Sequence, residues 1–161
     1  WDEVRADDAA QTQGGEEEEV SFSTAIQQAV YDRLRNYAPL TAVLAPHADS
    51  SIGGSAVYDD VPQGAKFPYV SIGDDTLIEW DTDTELGAEA TITLHTWSRE
   101  RGRRETKLIQ GLLYDALHRY ELPIPGMHVI DCVWEMSESF LDPDGHTRHG
   151  VSRFRIILQK L

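Results

Sequence analysis

The spacing of apolar residues changes character within one stretch, residues 88–120, and the rest of the chain is arranged around it. It reads AEATITLHTWS, RERGRRETK, LIQGLLYDALHRY. Over 88–98, Thr91, Ile92, Thr93, Thr96 and Trp97 are β-branched or aromatic, the types that suit a pleated, half-buried surface, and predict a long strand. Over about 103–119, Leu108, Ile109, Leu112, Leu113, Ala116 and Leu117 recur at the three-to-four spacing of one buried helix face. Gly102 and Glu105 are placed to serve as cap and N3 partner of that helix.

The flanks read in the same way. Ser23 is the expected N-cap of a first helix whose buried face is Ile26, Val30, Leu34 and Tyr37; Pro39 ends it and opens a short second turn before Pro46. His47–Ser55 is a loop, in which Gly53-Gly54 lacks the spacing and the Lys of a phosphate-cradling motif and reads as a turn. Val57-Tyr58 and Tyr69–Gly73 are short strands separated by the Pro62-Gln63-Gly64 turn, with Asp74–Leu86 an extended arm or hairpin. After Pro123 and Pro125, residues 128–137 alternate, Ile130, Cys132, Trp134 and Met136 on one side and Asp131 and Glu135 on the other. Asp142-Pro143-Asp144-Gly145 is a strong turn. In the last strand, Val151–Leu158, the residues Ser152, Phe154, Ile156 and Leu158 face opposite to Arg153 and Arg155. Strands joined without helices pair antiparallel most easily. The expectation is an α+β fold, a two-layer sandwich of a four- to five-stranded, mostly antiparallel sheet with two helices on one face.

Length and charge divide the chain in two. At 161 residues it is one domain by size. Residues 1–20 hold eight Asp and Glu against Arg5 alone, half of the net charge of −14, and read as an acidic flexible arm ahead of a folded domain over 21–161. The surplus of acid argues against a nucleic-acid coat. No apolar run approaches the roughly 18 residues of a membrane span, and the opening WDEVRADD does not look like a secretory signal. Cys132, alone, cannot form an intrachain disulfide, which fits a reducing compartment at synthesis.

Candidate chemistry is sparse. His146 and His149 sit near Asp142 and Asp144, but such a hairpin tip is expected to point its residues into water rather than fix a metal. The Asp142-x-Asp144-Gly145 start of a calcium loop fails because the closing position is Arg153. Cys132, mid-strand on an apolar side, reads as inert filler, and His95 as a sheet-face residue rather than a base. Asp81 and Asp83 would share one face of a strand without a partner acid or base. No GxSxG, HExxH or paired CxxC is present, so no catalytic residue, metal site or cofactor is expected. A small-molecule enzyme and a monomeric DNA-binding module are both poor fits.

What stands out is a knot of cations, Arg99, Arg101, Arg103, Arg104 and Lys107, at the amino end of a helix, where the backbone dipole prefers acids. Either it is a solvated face balanced by Glu100 and Glu105, or it meets an acidic protein surface. In a homo-oligomer the Glu16, Glu17, Glu18 and Glu19 run of one copy could reach the basic helix start of the next, head to tail, closing a ring.

The blocks VYDDVPQGAKFPYVSIGDDT, WDTDTELGAEATITLHTWSRERGRRETKLIQGLLYDALH and ESFLDPDGHTRHGVSRFRI, in that order, resemble a family of tail-completion proteins of long-tailed bacteriophages and related gene-transfer particles. The resemblance spans roughly residues 23–158; the first twenty residues and the long His47–Ser55 loop depart from it. It implies a small α/β sandwich that forms a ring, hexameric by analogy, which caps the tail tube and docks it to the head connector. A head-side connector or stopper of the same joint is the alternative. The partners it implies are further copies of the chain, the tail tube protein and the head connector or stopper, with DNA only passing through the lumen and no membrane. The place it implies is the head–tail junction of a virion assembled in the host cytoplasm. It carries no catalytic residues, and places Trp97, Ser98, Arg99, Arg101, Gly102 and Arg103 at a subunit or tube-facing surface.

Overall fold

The structure is a computed structural model that describes residues 21–161. The first helix, α1 (Phe22–Asn36), is capped by Ser21, whose Oγ accepts from the Thr24 N–H at 3.3 Å. The expected cap Ser23 is the second residue of the helix, and its hydroxyl donates instead to Asp75 at 2.9 Å. Pro39 sits at the start of a four-residue helix, α2 (Ala38–Thr41). The strands are β1 (Val57–Tyr58), β2 (Tyr69–Glu79), β3 (Gly87–Ser98), β4 (Met127–Leu141) and β5 (Arg148–Lys160), with helix α3 (Arg104–Leu117) between β3 and β4.

They form one five-stranded sheet in the order β1-β2-β3-β5-β4. All neighbours are antiparallel except β1 and β2, which run parallel through Val57–Val70 and Tyr58–Ser71. The sheet is therefore mixed. The connection 59–68, turned at Pro62–Ala65, carries the chain back to the end where β1 began, and a two-residue strand needs no longer crossover. Residues 74–86 resolve into the outer half of β2 and a tight hairpin into β3, closed by Trp80 N–H to Gly87 O at 3.1 Å and Thr82 N–H to Glu85 O at 2.9 Å. Asp81 and Asp83 therefore lie in the hairpin turn, not on a strand face.

The core is built by parity. On β3 and β5, Ala88, Ala90, Ile92, Leu94, Phe154, Ile156 and Leu158 all point to one side and are buried against α1 and α3. From the helices come Ile26, Ala29, Val30, Leu34, Ile109, Leu113, Ala116 and Leu117. Each large side chain so buried contributes about 1.5–3 kcal/mol. Leu108, expected on the buried face, is 49% exposed; Thr106 and Gln110 are buried in its place. Gln110 can be there because its Nε2 donates to Glu138 O at 2.8 Å, and Gly150 leaves it the room. A Cβ on Gly150 would stand 2.8 Å from that Nε2 and 2.9 Å from Thr106 Cγ2.

On β4 the simple alternation fails. Register shifts between Val129 and Asp131 and between Trp134 and Met136 each insert a residue, and an inserted residue reverses which face the next ones occupy. Val129 and Cys132 both face the helices, Ile130 is 42% exposed, and Trp134 lies edge-on to Tyr114 of α3. Met136 pairs with Arg153 on the opposite face. Burial pushes the Cys132 thiol up to about 12, so it is unreactive packing. Among the described residues no helix is long and apolar enough to cross a membrane.

Truncating Phe154 to Ala should cost about 3–5 kcal/mol and Leu113 to Ala about 2–5 kcal/mol. Leu108→Ala should stay within about 0.5 kcal/mol, as a surface position does. Urea denaturation of the three variants separates the two classes.

Candidate interaction site

Helices cover one face of the sheet, and the other is left without a second layer among the described residues. Its residues alternate with the core: Thr91, Thr93, His95 and Trp97 on β3, and His149, Val151, Arg153 and Arg155 on β5. At the end of the sheet where β3 stops, this face carries a stack of rings. Trp97 lies on His149 with centroids 3.9 Å apart and planes at 15°. Phe140 closes on His149 at 4.7 Å, and Tyr69 flanks Trp97 at 6.2 Å. The indole N–H of Trp97 donates to Ser71 Oγ at 3.1 Å, which fixes the ring. His95 fits only because position 73 is glycine; a Cβ there would be 2.3 Å from its Nε2.

The imidazoles of His95 and His149 meet nitrogen to nitrogen, Nδ1 to Nε2, at 2.7 Å. Asp142 Oδ1 is 3.5 Å from His149 Nδ1, so the consistent arrangement has His149 Nδ1–H facing that carboxylate while its Nε2 accepts from His95. Burial lowers the pKa of both imidazoles, and for His149 the neighbouring His95 lowers it further. Asp74 opposes the shift at His95, and Asp142 and Glu138 oppose it at His149. His149 is thus no water-facing residue of a hairpin tip; its side chain is 12% exposed and belongs to the ring stack.

Beyond Ser98 the chain turns sharply into α3. Ser98 Oγ donates to Glu105 Oε1 at 2.7 Å and accepts the Glu100 N–H at 3.1 Å, clasping the turn. Glu105 therefore sits in the first turn bonded to Ser98, with its pKa raised by burial, instead of closing a capping box. Gly102 supplies the left-handed turn, φ +82°, and Arg103, not Gly102, occupies the N-cap position without a side-chain cap. Arg99 lies over the Phe67 ring at 4.4 Å, with its Nε donating to Thr147 Oγ1 at 3.4 Å. Arg148 donates from Nε to Gly102 O at 3.2 Å, and its Nη1 is buried with no partner among the described residues.

Arg101, Arg103, Arg104 and Lys107 are exposed. Their side chains make no hydrogen bond, ion pair or ring contact among the described residues. With Arg99, Glu100, Gly145, His146 and Arg148, Arg101 rims an open depression of about 620 Å³. The Asp142–Gly145 turn forms as expected, Gly145 N–H to Asp142 O at 3.0 Å. Asp144 accepts from His146 N–H and from both Thr147 donors, which holds its carboxyl down at about 2. Those bonds spend Asp144 on the turn, and no three His, Cys, Asp or Glu among the described residues gather closely enough to hold a metal.

The arrangement thus joins Trp97 and Arg99 to one surface and sets Arg101, Arg103, Arg104 and Lys107 beside it as exposed cations, whereas Ser98, expected at the surface, is buried with its hydroxyl bonded to Glu105. Glu16 through Glu19 lie outside the described residues. His95 lies on the sheet face where the sequence placed it; what the sequence did not reveal is that His149, Phe140 and Tyr69 gather around Trp97 and His95 there.

The family model for tail completion protein gp17 matches residues 28–159. The chain belongs to that family. The tail completion protein gp17 of Bacillus phage SPP1 is 26% identical over 136 residues, covering 84% of this chain and 93% of the phage protein. Among solved structures, a chain from the virion of a native gene transfer agent particle is 25% identical with a TM-score of 0.74, covering 86% of this chain and 99% of that one. Within this family's fold, the ring stack and the exposed cations lie side by side on one polar–aromatic surface.

The lowered histidines give a pH signature. Because the folded imidazoles resist protonation, the unfolded chain binds more protons once pH falls below the ordinary value of 6.5, and folding stability should drop from there downward. Urea midpoints across pH 7.5 to 5 should fall in the wild type, and His149→Phe, which keeps a ring on Trp97, should flatten the slope.

Proposed function

We propose that the chain is a non-catalytic structural subunit of a phage-type tail, working as a closed ring of six copies that caps the tail tube and joins it to the head connector. The family match over residues 28–159 carries this reading. The likeness to a chain of a gene transfer agent virion supports it, as does a surface of exposed cations with no partner among the described residues. Trp97, Arg99, Arg101, Arg103, Arg104 and Lys107 then belong to a contact with a neighbouring subunit or the tube. The net charge of −14 suits a lumen through which DNA passes without adhering.

The small cavity of about 350 Å³ lined by Gln27, Tyr31, His47 and Tyr58 offers little to an enzyme. Its His47 is tied to Asp49 of its own loop at 3.1 Å and packs on Tyr58.

Electron images of the purified protein should show closed rings, and the rings should bind tail-tube subunits. Rings that bind portal complexes but not tube subunits would move the protein to the head side of the joint, and a protein that stays monomeric at every concentration would end the ring reading. Replacing Arg101, Arg103 and Arg104 by Glu should weaken assembly, most at low salt where exposed charges are least screened. Sedimentation at two ionic strengths reads this directly.

A further inference from the structure

The two ends of the sheet carry opposite charge. From the middle of the sheet to one end, residues 73–90 form the β2–β3 hairpin with seven carboxylates, Asp74, Asp75, Glu79, Asp81, Asp83, Glu85 and Glu89, and no Lys or Arg. Some of these are engaged locally: Asp75 with Ser23, Asp81 with the Gly87 N–H at 2.8 Å, Glu85 with Gln159. Glu79 and Asp83 have no hydrogen bond or ion pair among the described residues. The stem is also apolar where it leaves the core, with Leu77 42%, Ile78 58%, Trp80 39% and Leu86 55% exposed. Pairing with β1 stops at Ser71, so the outer edge of β2 beyond it has no strand neighbour among the described residues. A bare strand edge flanked by large apolar side chains is a surface that natural proteins cover.

At the opposite end stand the exposed cations Arg101, Arg103, Arg104 and Lys107, beside the depression that Arg148 also lines. Exposed apolar groups lie there too: Leu108 at 49%, Phe140 at 37% and Leu141 at 45%. The ends match in charge and in apolar character, yet β3, twelve residues long, holds them about 36 Å apart. One copy cannot satisfy itself.

We infer that the acidic β2–β3 hairpin of one copy docks on the basic turn after β3 of the next copy, head to tail. This deepens the ring reading and rests on it, naming the two surfaces that meet. A contact between different surfaces of identical copies closes into a ring or runs on as a filament, and the ring reading takes the closed case.

Paired charge reversal tests it in the full-length chain. One variant carries Glu79→Lys, Asp83→Lys and Glu85→Lys, sparing Asp81 because its carboxylate builds the turn. The other carries Arg101→Glu, Arg103→Glu and Arg104→Glu. Each alone should raise the apparent dissociation constant of assembly about tenfold or more. Their equimolar mixture should restore large assemblies, because in an alternating order every second junction pairs the two reversed surfaces and the others pair the two native ones.

If the wild type never assembles, the ring reading itself fails. If it assembles and the hairpin variant does so equally well, the ring stands and this inference is overturned; it is overturned also if both variants fail and the mixture does not recover. Reversal of Glu16, Glu17, Glu18 and Glu19 to Lys covers the rival. Should that variant, rather than the hairpin one, lose assembly and regain it with the turn variant, the acidic partner is the amino-terminal run. If circular dichroism shows the lysine variant unfolded, the neutral Glu79→Gln, Asp83→Asn, Glu85→Gln variant answers the same question through a reduced salt dependence of assembly, an unchanged one counting against the inference.

Discussion

The β3–β5 pairing is the constraint on which the rest depends. Twelve residue pairs in unbroken register, from Gly87–Gln159 to Ser98–Arg148, fix the side-chain parity of both central strands. A slip of one residue would send Ile92, Leu94, Phe154 and Ile156 into water and bring Arg153, Arg155 and Glu89 against the helices. The cost would be the whole core, so the register is set by hydrophobic burial. The same parity decides the other face. Once the core positions are assigned, His95, Trp97, His149 and Val151 have nowhere to go but the uncovered side, and the ring stack follows from the register.

That stack explains how an open sheet face can carry aromatic residues without being greasy. Trp97 satisfies its N–H on Ser71, His95 Nδ1 and His149 Nε2 satisfy each other, and Asp142 faces His149 Nδ1. The result is a surface with most of its hydrogen bonds made internally, His95 Nε2 alone among these ring nitrogens having no hydrogen-bond partner among the described residues. Such a surface loses little on desolvation when a partner covers it. The cations beside it are the opposite case. Arg103 and Arg104 sit at a helix amino end whose only first-turn acid is Glu105, and that acid is bonded to Ser98. Each misplaced charge there costs a few tenths to about 1 kcal/mol. No contact within the described chain returns that cost.

Much of this was legible in the sequence because it is periodic or punctuated. Alternation gave the inward set on the last strand, three-to-four spacing gave Ile109, Leu113, Ala116 and Leu117, and the Asp-Pro-Asp-Gly turn announced itself. What was not legible was non-local. The β4 bulges depend on how that strand meets β5, so Ile130 and Met136 were misassigned although their hydrophobicity was read correctly. Leu108 lost its place to Gln110 because Gly150, forty residues away, leaves space for a hydrogen-bonded amide. The His95–His149 contact joins two strands whose register no local pattern reveals. The basic turn was visible because it violates a helix-end rule, and local rule-breaking needs no partner to be seen.

Charge then sets the range over which copies can recognise one another. At a net charge of −14 two copies repel at long distance, which keeps the free chain soluble. At physiological ionic strength that repulsion is screened beyond about 8 Å. What survives is whatever lies within a Debye length of a contact, and there the balance reverses: five cations against two acids over residues 99–107 would face a hairpin with no cation at all. The global charge and the local pattern therefore act at different distances. Repulsion disfavours random collisions, and under the proposed docking the orientation that sets one end of the sheet against the other turns it into attraction. A strongly acidic chain with a concentrated basic turn is in this way biased toward contacts that cover that turn with acid.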